Sequence, residues 1–333
     1  MSKKYIIIFA AIISLLFVSV IWQFAETKII LLLEQASTKM LGKPVNQITV
    51  LDDEGIPMQL YHDGQKHYNP LFIARAAQKA NLHRRLTDES EDFIKLSNWL
   101  LNHLSESDST CLALYDFDYP KYGQKAPWSS ALTQAVLMNV LAARAGMQRD
   151  LKIYDKAKRS LYSLSPQVAG LTYVLSDSSY WYMEYPAAEP YFVLNGMLSC
   201  LIELHAYHEL TGDPLAQNLF DKGFNALIQK LPEFDYHGYS YYDLKGNKAS
   251  RAYHQTHIKQ LTKLLELRNN NLILHYRNRW QKADSYPVLW QMLLNPRPKR
   301  VLVFVLAFAG LAVLIYLLLA WTQRKAPDDP DHS

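Results

Sequence analysis

The stretch Ser240–His257, SYYDLKGNKASRAYHQTH, concentrates side chains that can move protons and hold anions. With Tyr239 just before it, it brings four tyrosines together with Lys245, Lys248, Arg251, His254 and His257, against one acid, Asp243. A phenol can give or take a proton and a cation can hold a carboxylate, so this set suits acid–base work on an acidic substrate. The same composition also fits a solvated loop with its tyrosines packed at the base, and Tyr241 and Lys248 read as ordinary loop residues. His254 and His257 could share a metal, but no third ligand stands nearby, so the expectation is no metal and no cofactor.

Two earlier stretches add to this set. In Tyr180–Gly196, YWYMEYPAAEPYFVLNG, Glu184 sits among Trp181, Tyr182 and Tyr185. A carboxylate in such surroundings is partly desolvated, which raises its pKa toward a useful acid–base value. A solvent-facing glutamate on a strand edge satisfies the same spacing. Pro127–Gln134, PWSSALTQ, opens an apolar helix, with Trp128 able to stack on a sugar ring and Gln134 one and a half turns further on. The chain has no Walker loop, dinucleotide glycine fingerprint, Gly-x-Ser-x-Gly elbow or His-Glu-x-x-His pair.

These residues must be positioned by helices. Helical spacing runs from Pro70 through IARAAQKA, then from Thr87 with Phe93, Leu96, Leu100 and Leu104 in register. Further helices are predicted over Pro127–Gly146, Leu151–Leu164, Val193–Leu210, Pro214–Leu231, Thr256–Leu267 and Asn271–Lys282. Short links between long helices imply antiparallel hairpins, which can close into an α/α toroid. Strand-like pieces at Cys111–Tyr119, Leu171–Leu175, Trp181–Tyr185 and Phe234–Leu244 would then line a cleft at one end. Before the first of these helices, Gly42 and Pro44 end a helix that leaves the first apolar run, and Gln47–Tyr61 alternates like strands.

Both ends carry long uncharged runs, Tyr5–Phe24 and Val301–Trp321. At about 1.5 Å rise per residue, each can cross a hydrocarbon core of roughly 30 Å. Lys3 and Lys4 precede the first run, and no small-x-small cleavage site follows it, so it reads as an uncleaved signal anchor with a cytoplasmic N-terminus. The resulting division is residues 1–4 cytoplasmic, 5–24 spanning, 25–67 membrane-proximal helix and strands, 68–295 the helical domain outside the cytoplasm, 301–321 spanning, and 322–333 a cytoplasmic tail with acids at Asp328–Asp331. A bacterial inner membrane is the expected location. The net charge of +4 gives no sign of nucleic-acid binding. Two cysteines, Cys111 and Cys200, allow one disulfide at most.

Taken in order, the motifs resemble the C-terminal catalytic domain of heparosan-type glucuronyl 5-epimerases. YNPLFIARAA at Tyr68–Ala77 resembles that family's Tyr-x-Pro-x-x-Ile-Ala segment, and PWSSALTQ its Trp-Tyr-Ser-Ala-Met-Ala-Gln helix start. WYMEYPAAEPYFVLNG, LPEFDYHGYSYYDLKG and RAYHQTHIKQL are similar to its three later and more specific blocks, and the whole covers about Tyr68–Asp284. The resemblance implies an α/α toroid, mainly α with short strands, here flanked by two transmembrane helices. It also implies an isomerase that inverts carbon 5 of D-glucuronic acid within a polymer to give L-iduronic acid.

Matched by motif, the catalytic residues would be Glu184, Tyr185, Tyr242 and Tyr253, with Glu184 and Tyr253 as opposing proton-transfer groups. Trp128, Gln134, Trp181, Asn195, Lys245, Arg251, His254 and His257 would bind the substrate. The expected partners are a uronate-containing polysaccharide and the membrane, with a homodimer or polysaccharide-synthesis proteins compatible with both. The chain departs from the family in carrying Lys245 where the family has arginine after Tyr-Asp-Leu, a shorter loop from Asp243 to Tyr253, and two spans instead of one anchor. These departures point toward another uronate polymer, one made at a bacterial envelope. Two other readings stand beside the epimerase: a polysaccharide lyase on the same fold, and a non-catalytic polysaccharide-binding or assembly protein.

Overall fold

The computed structural model describes residues 3–40, 49–61, 63–166 and 168–325. The expected helix stop at Gly42 and Pro44, the strand start at Gln47 and the acidic tail at Asp328–Asp331 lie outside them. The helices in chain order are α1 (Lys3–Met40), α2 (Pro70–Thr87), α3 (Glu91–Asn102), α4 (Ala131–Gln148), α5 (Leu151–Tyr162), α6 (Leu194–Thr211), α7 (Pro214–Lys230), α8 (Arg251–Leu267), α9 (Asn271–Asp284), α10 (Val288–Leu294) and α11 (Pro298–Lys325). Short antiparallel strands separate them: Thr49–Leu51, Pro57–Leu60 and Lys66–Tyr68 in one sheet, then hairpins at Leu104–Glu106 with Cys111–Ala113, Thr172–Ser176 with Ser179–Tyr182, and Asp235–Tyr236 with Tyr239–Ser240. The chain forms two compact units, Thr38–Gln281 and the pair of segments Met1–Ser37 and Lys282–Ser333.

The larger unit is a partial α/α toroid. Its inner row runs α2, α4, α6, α8, each packed on the next, and α3, α5 and α7 back onto α2, α4 and α6 as their hairpin partners. α8 and α9 share the core through Leu261, Leu264, Ile273 and Trp280. Nearly all of α4 is buried, as its composition demands, because a helix apolar on all sides must sit inside. The helix starts are written in the sequence. Asn69, Asp150, Asp213 and Ser250 cap α2, α5, α7 and α8 by accepting from first-turn amides, and Pro70 and Pro214 occupy first-turn positions that need no donor. With Ser250 as its cap, α8 starts at Arg251, five residues before the expected Thr256, which places Arg251, Tyr253, His254 and His257 on its first turns. Cys111 and Cys200 are buried free thiols.

The inner row is fastened by a buried carboxylate. Glu203 of α6 accepts from Arg75 Nη1 and Gln78 Nε2 of α2, at 2.5 and 2.7 Å, and from Asn139 Nδ2 of α4 at 2.9 Å. Burial raises the Glu203 pKa, and the Arg75 guanidinium and these hydrogen bonds pull it back. One acid thereby ties three consecutive inner helices.

The smaller unit is built from α1, α10 and α11. Lys3–Glu26 and Pro298–Thr322 are long and apolar enough to cross a membrane. Val18, Trp22, Val288, Met292 and Phe304 form one apolar cluster, with Trp22 edge-on to Phe304 at 5.5 Å between ring centroids. Arg300 pairs with Glu26 at 2.7 Å and donates to Gln291 Oε1 at 2.9 Å.

Arg75→Ala is expected to destabilise the larger unit by about 2–4 kcal/mol, because it strands a buried carboxylate. Glu203 would escape by protonating, so the loss should be larger at pH 8 than at pH 5. Urea unfolding of the full chain in detergent at the two pH values measures this.

Candidate active site

The strand Ser179–Tyr182 buries Trp181 and Tyr182 completely and delivers Glu184 to the start of α6. A Cβ on Gly196 would lie 2.5 Å from Glu184 Oε2 and 3.0 Å from the Glu184 Cβ, so the carboxylate rests directly on the first turn of α6 at the one residue without a side chain. Asn195 Nδ2 donates to Glu184 Oε2 at 3.3 Å, and the positive end of the helix dipole faces the same carboxylate. Burial nevertheless dominates and pushes the Glu184 pKa up to about 7, against the opposing pull of hydrogen bonds from Tyr185 and Asn195 and of the Lys121 charge.

The loop Tyr242–Leu244 reaches the same place by backbone pairing. Leu194 N donates to Tyr242 O at 3.0 Å and Leu244 N to Tyr191 O at 3.3 Å, with Val193 bridging to Asp243. Asp243 is fully buried, and its carboxylate accepts from the amides of Lys245 and Asn247 and from Asn247 Nδ2. Tyr242 is thereby held beside Tyr253 of α8, with ring centroids 4.8 Å apart at 73°. Tyr185 stacks on Tyr122 at 3.9 Å and 3°, while Tyr119 and Tyr191 lie against the same pair at 5.7 and 5.1 Å. The phenols of Tyr185, Tyr122 and Tyr253 are the electrostatic neighbours of the Tyr242 hydroxyl. Burial first, and the Glu184 charge with it, raises the pKa of Tyr185, Tyr242 and Tyr253 above that of a free phenol. At neutral pH the cluster is therefore one titrating carboxyl ringed by protonated phenols.

The four residues matched as catalytic, Glu184, Tyr185, Tyr242 and Tyr253, thus stand together. The eight matched as substrate-binding divide by exposure. Gln134, Trp181, His254 and His257 are essentially fully buried and present no surface to a polymer. Gln134 bonds the backbone of Ala113 and the hydroxyl of Ser129. Trp181 stacks on Phe234. Ser240 Oγ lies 2.9 Å from His254 Nδ1 and 2.7 Å from His257 Nδ1, so the two imidazoles clasp the strand that precedes Tyr242. Burial depresses the His257 pKa to about 3, which keeps its ring neutral and unsuited to holding an anion. Trp128 packs flat on Tyr115 at 3.9 Å and donates its indole N–H to Phe117 O, so it forms the floor under Tyr185 and Tyr119. Asn195 touches the Glu184 carboxylate itself. Lys245 is exposed at the rim, paired with Glu189 at 3.0 Å, and Arg251 stands partly exposed at the start of α8.

Sequence reasoning passed over Lys121, Tyr119, Tyr122, Tyr191 and Gly196. Lys121 Nζ is exposed, 5.1 Å from the Tyr122 ring and 5.9 Å from the Tyr242 ring, and its charge reaches Glu184. The available signal was DYPKYGQ, an inter-helix segment of the kind that lines the cleft of a toroid.

A family model described as "D-glucuronyl C5-epimerase C-terminus" matches residues 107–282, just over half of the chain. The chain is 25% identical over 173 residues to an uncharacterized protein of Methanocaldococcus jannaschii, covering 50% of this chain and 56% of that protein. It is 24% identical over 231 residues to the D-glucuronyl C5-epimerase of Caenorhabditis elegans, covering 63% of this chain and 37% of that one. Among solved structures, a GH76 α-mannanase from Bacteroides thetaiotaomicron aligns with a TM-score of 0.43 at 10% identity, covering 67% of this chain and 63% of that one. PssZ from Listeria monocytogenes aligns with a TM-score of 0.36 at 12% identity, covering 87% of this chain and 100% of that one. With Glu184, Tyr185, Tyr242 and Tyr253 all inside the matched segment, the chain belongs to the D-glucuronyl C5-epimerase C-terminus family.

Proposed function

We propose that this chain is a membrane-anchored uronosyl 5-epimerase acting on a glucuronate-containing polysaccharide, with its toroid outside the cytoplasm. The observation that carries this reading is a carboxyl group with a pKa near 7 resting on Gly196 and ringed by protonated phenols, in a chain of this family. The hydrogen at carbon 5 is alpha to a carboxylate and weakly acidic. Its removal needs a base that is ionised at neutral pH yet still basic, and Glu184 meets both conditions.

In this scheme Glu184 takes the carbon-5 proton as the C–H bond electrons move into the substrate carboxyl group. Lys121, Arg251 and Lys245 are the cations at or near the cleft that can hold the doubly charged intermediate. The Tyr253 O–H, less buried than Tyr242 with 40% of its surface exposed, delivers a proton to the opposite face of carbon 5. The Tyr253 phenolate so formed takes a proton from water at its exposed edge, and protonated Glu184 gives its proton up past the neighbouring phenols to water. Each turnover removes one proton from one face of carbon 5 and delivers one to the other, and both groups recover their starting protonation by exchange with water.

Incubating the full chain in deuterated water with a panel of glucuronate polymers should replace the carbon-5 hydrogen with deuterium and produce iduronate signals in proton NMR. Absence of exchange across the panel overturns the reading, and the growth of an unsaturated-uronate absorbance replaces it with a lyase. Tyr253→Phe should lower kcat by about two to four orders of magnitude with little change in KM. The rising limb of kcat/KM should be centred near pH 7.

The raised Glu184 pKa also makes a stability statement. Protonated Glu184 is tolerated, and ionised Glu184 costs folding free energy, so its penalty grows as pH rises from about 4.5 to above about 7. Glu184→Gln should therefore stabilise the protein by about 1–3 kcal/mol at pH 8 and by much less at pH 4, while abolishing exchange. Gly196→Ala should displace the carboxylate, lowering kcat at least about tenfold at unchanged helix content.

A further inference from the structure

Helix α10, Val288–Leu294, belongs to neither apolar run, yet it is joined to both. Val288 and Met292 are 2% and 8% exposed and sit in the cluster with Val18, Trp22 and Phe304. Gln291, 1% exposed, accepts from Arg300 and donates to the backbone of Asp284 and Tyr286, and Arg300 in turn pairs with Glu26. The Glu26–Arg300 pair marks the charged end of both apolar runs. Val18 lies eight residues inside that pair and Phe304 four, or about 12 Å and 6 Å along the helices. The inner face of α10 therefore packs where the two apolar runs meet their charged end.

Its outer face is apolar too. Leu289, Trp290 and Leu293 are 41%, 54% and 72% exposed, and they fall within an arc of about 100° on the side opposite Val288, Gln291 and Met292. Scattered exposed apolar residues need no explanation. Three of them on one face of a seven-residue helix, held against the charged end of two candidate spans, call for a non-aqueous neighbour.

We propose that α10 is a third membrane contact, immersed in the leaflet nearest the Glu26–Arg300 pair, with Leu289, Trp290 and Leu293 packed against lipid. The proposal rests on the membrane reading of α1 and α11. Lipid is the occupant because α10 shares its apolar cluster with α11, a candidate span whose own Leu302, Val305 and Leu306 are 59%, 49% and 62% exposed. The indole of Trp290 suits the boundary between acyl chains and headgroups.

The test places a nitroxide at Trp290→Cys and, separately, at Leu293→Cys in the full chain, reconstituted in phosphatidylcholine nanodiscs. Cys111 and Cys200 are fully buried and do not compete for the label. Accessibility to oxygen, which partitions into lipid, is compared with accessibility to a water-soluble nickel chelate. Leu314→Cys in the middle of α11 and Asp108→Cys on an exposed turn serve as controls. The expected result is high oxygen and low chelate accessibility at 290 and 293, as at 314 and unlike 108. Chelate accessibility at 290 and 293 comparable with 108, while 314 remains lipid-exposed, overturns the proposal and leaves the spans intact. Low accessibility to both reagents at 290 and 293 overturns it in favour of a second copy or another membrane protein on this face. Chelate accessibility at 314 itself overturns the membrane reading, and the proposal with it.

Discussion

The site depends on a short piece of backbone pairing. Glu184 and Tyr185 are separated from Tyr242 and Tyr253 by two helices, and nothing local brings them together. The antiparallel contact of Tyr191–Leu194 with Tyr242–Leu244 does so, through Leu194 N to Tyr242 O and Leu244 N to Tyr191 O. Each side of this contact is pre-shaped. On one side Asp243, fully buried, turns the loop back by accepting from Lys245, Asn247 and the Asn247 amide. On the other side the contact runs straight into the first turn of α6, where Gly196 leaves room for the carboxylate. A backbone bond at this point fixes the phenol of Tyr242 more firmly than a side-chain contact could, because it leaves only the tyrosine's own rotamers free.

Beneath the pairing lies a second fastening. Ser240 N and Oγ both meet His254 Nδ1, and Oγ also meets His257 Nδ1, so the strand before Tyr242 is bound to the first turns of α8. Because Ser240 N donates to His254 Nδ1, that nitrogen carries no proton, and His254 Nε2 is the donor to Trp280 O at 3.3 Å. The clasp therefore works with neutral imidazoles, consistent with the low His257 pKa that burial imposes. Tyr253 sits between the two histidines' helical turn and the cleft, so its direction is set by a buried polar joint while its own ring stays accessible.

The helices were legible in the sequence because capping residues and apolar spacing state them locally: Asn69–Pro70 and Asp213–Pro214 announce α2 and α7 without reference to anything distant. The start of α8 was misplaced because Ser250 lies in a polar stretch, and its capping role emerges only when Tyr253 N is seen to reach it. Glu184 was legible through the aromatic residues around it. Trp128, Gln134 and Trp181 were expected at the substrate by motif match, Trp128 also for its ability to stack on a sugar ring, but a floor and a wall sit as close to a site as its contacts do. Their burial separates the two roles, and burial is a property of the packed fold. Lys121 and Gly196 were missed for the opposite reason. Each is an ordinary residue in its own segment, and each matters only through the distance to a carboxylate many residues away.

The choice of phenols over cations around Glu184 follows from electrostatics. A lysine or arginine in direct contact would satisfy the carboxylate, but it would also pull the pKa down and weaken the group as a base. Phenols donate hydrogen bonds without adding charge. Tyr185, with Asn195, stabilises the anion enough for it to exist in the cleft, yet burial still wins and the pKa settles near 7. The raised pKa values of Tyr185, Tyr242 and Tyr253 belong to the same balance, since each phenol is held protonated by burial and by the neighbouring negative charge. The cationic groups stand further out: Lys121 is exposed beside the Tyr122 and Tyr242 rings, and Lys245 is at the rim. In the proposed reaction this keeps charge available for a uronate carboxylate apart from charge that would weaken Glu184 as a base, with neutral tyrosines between them.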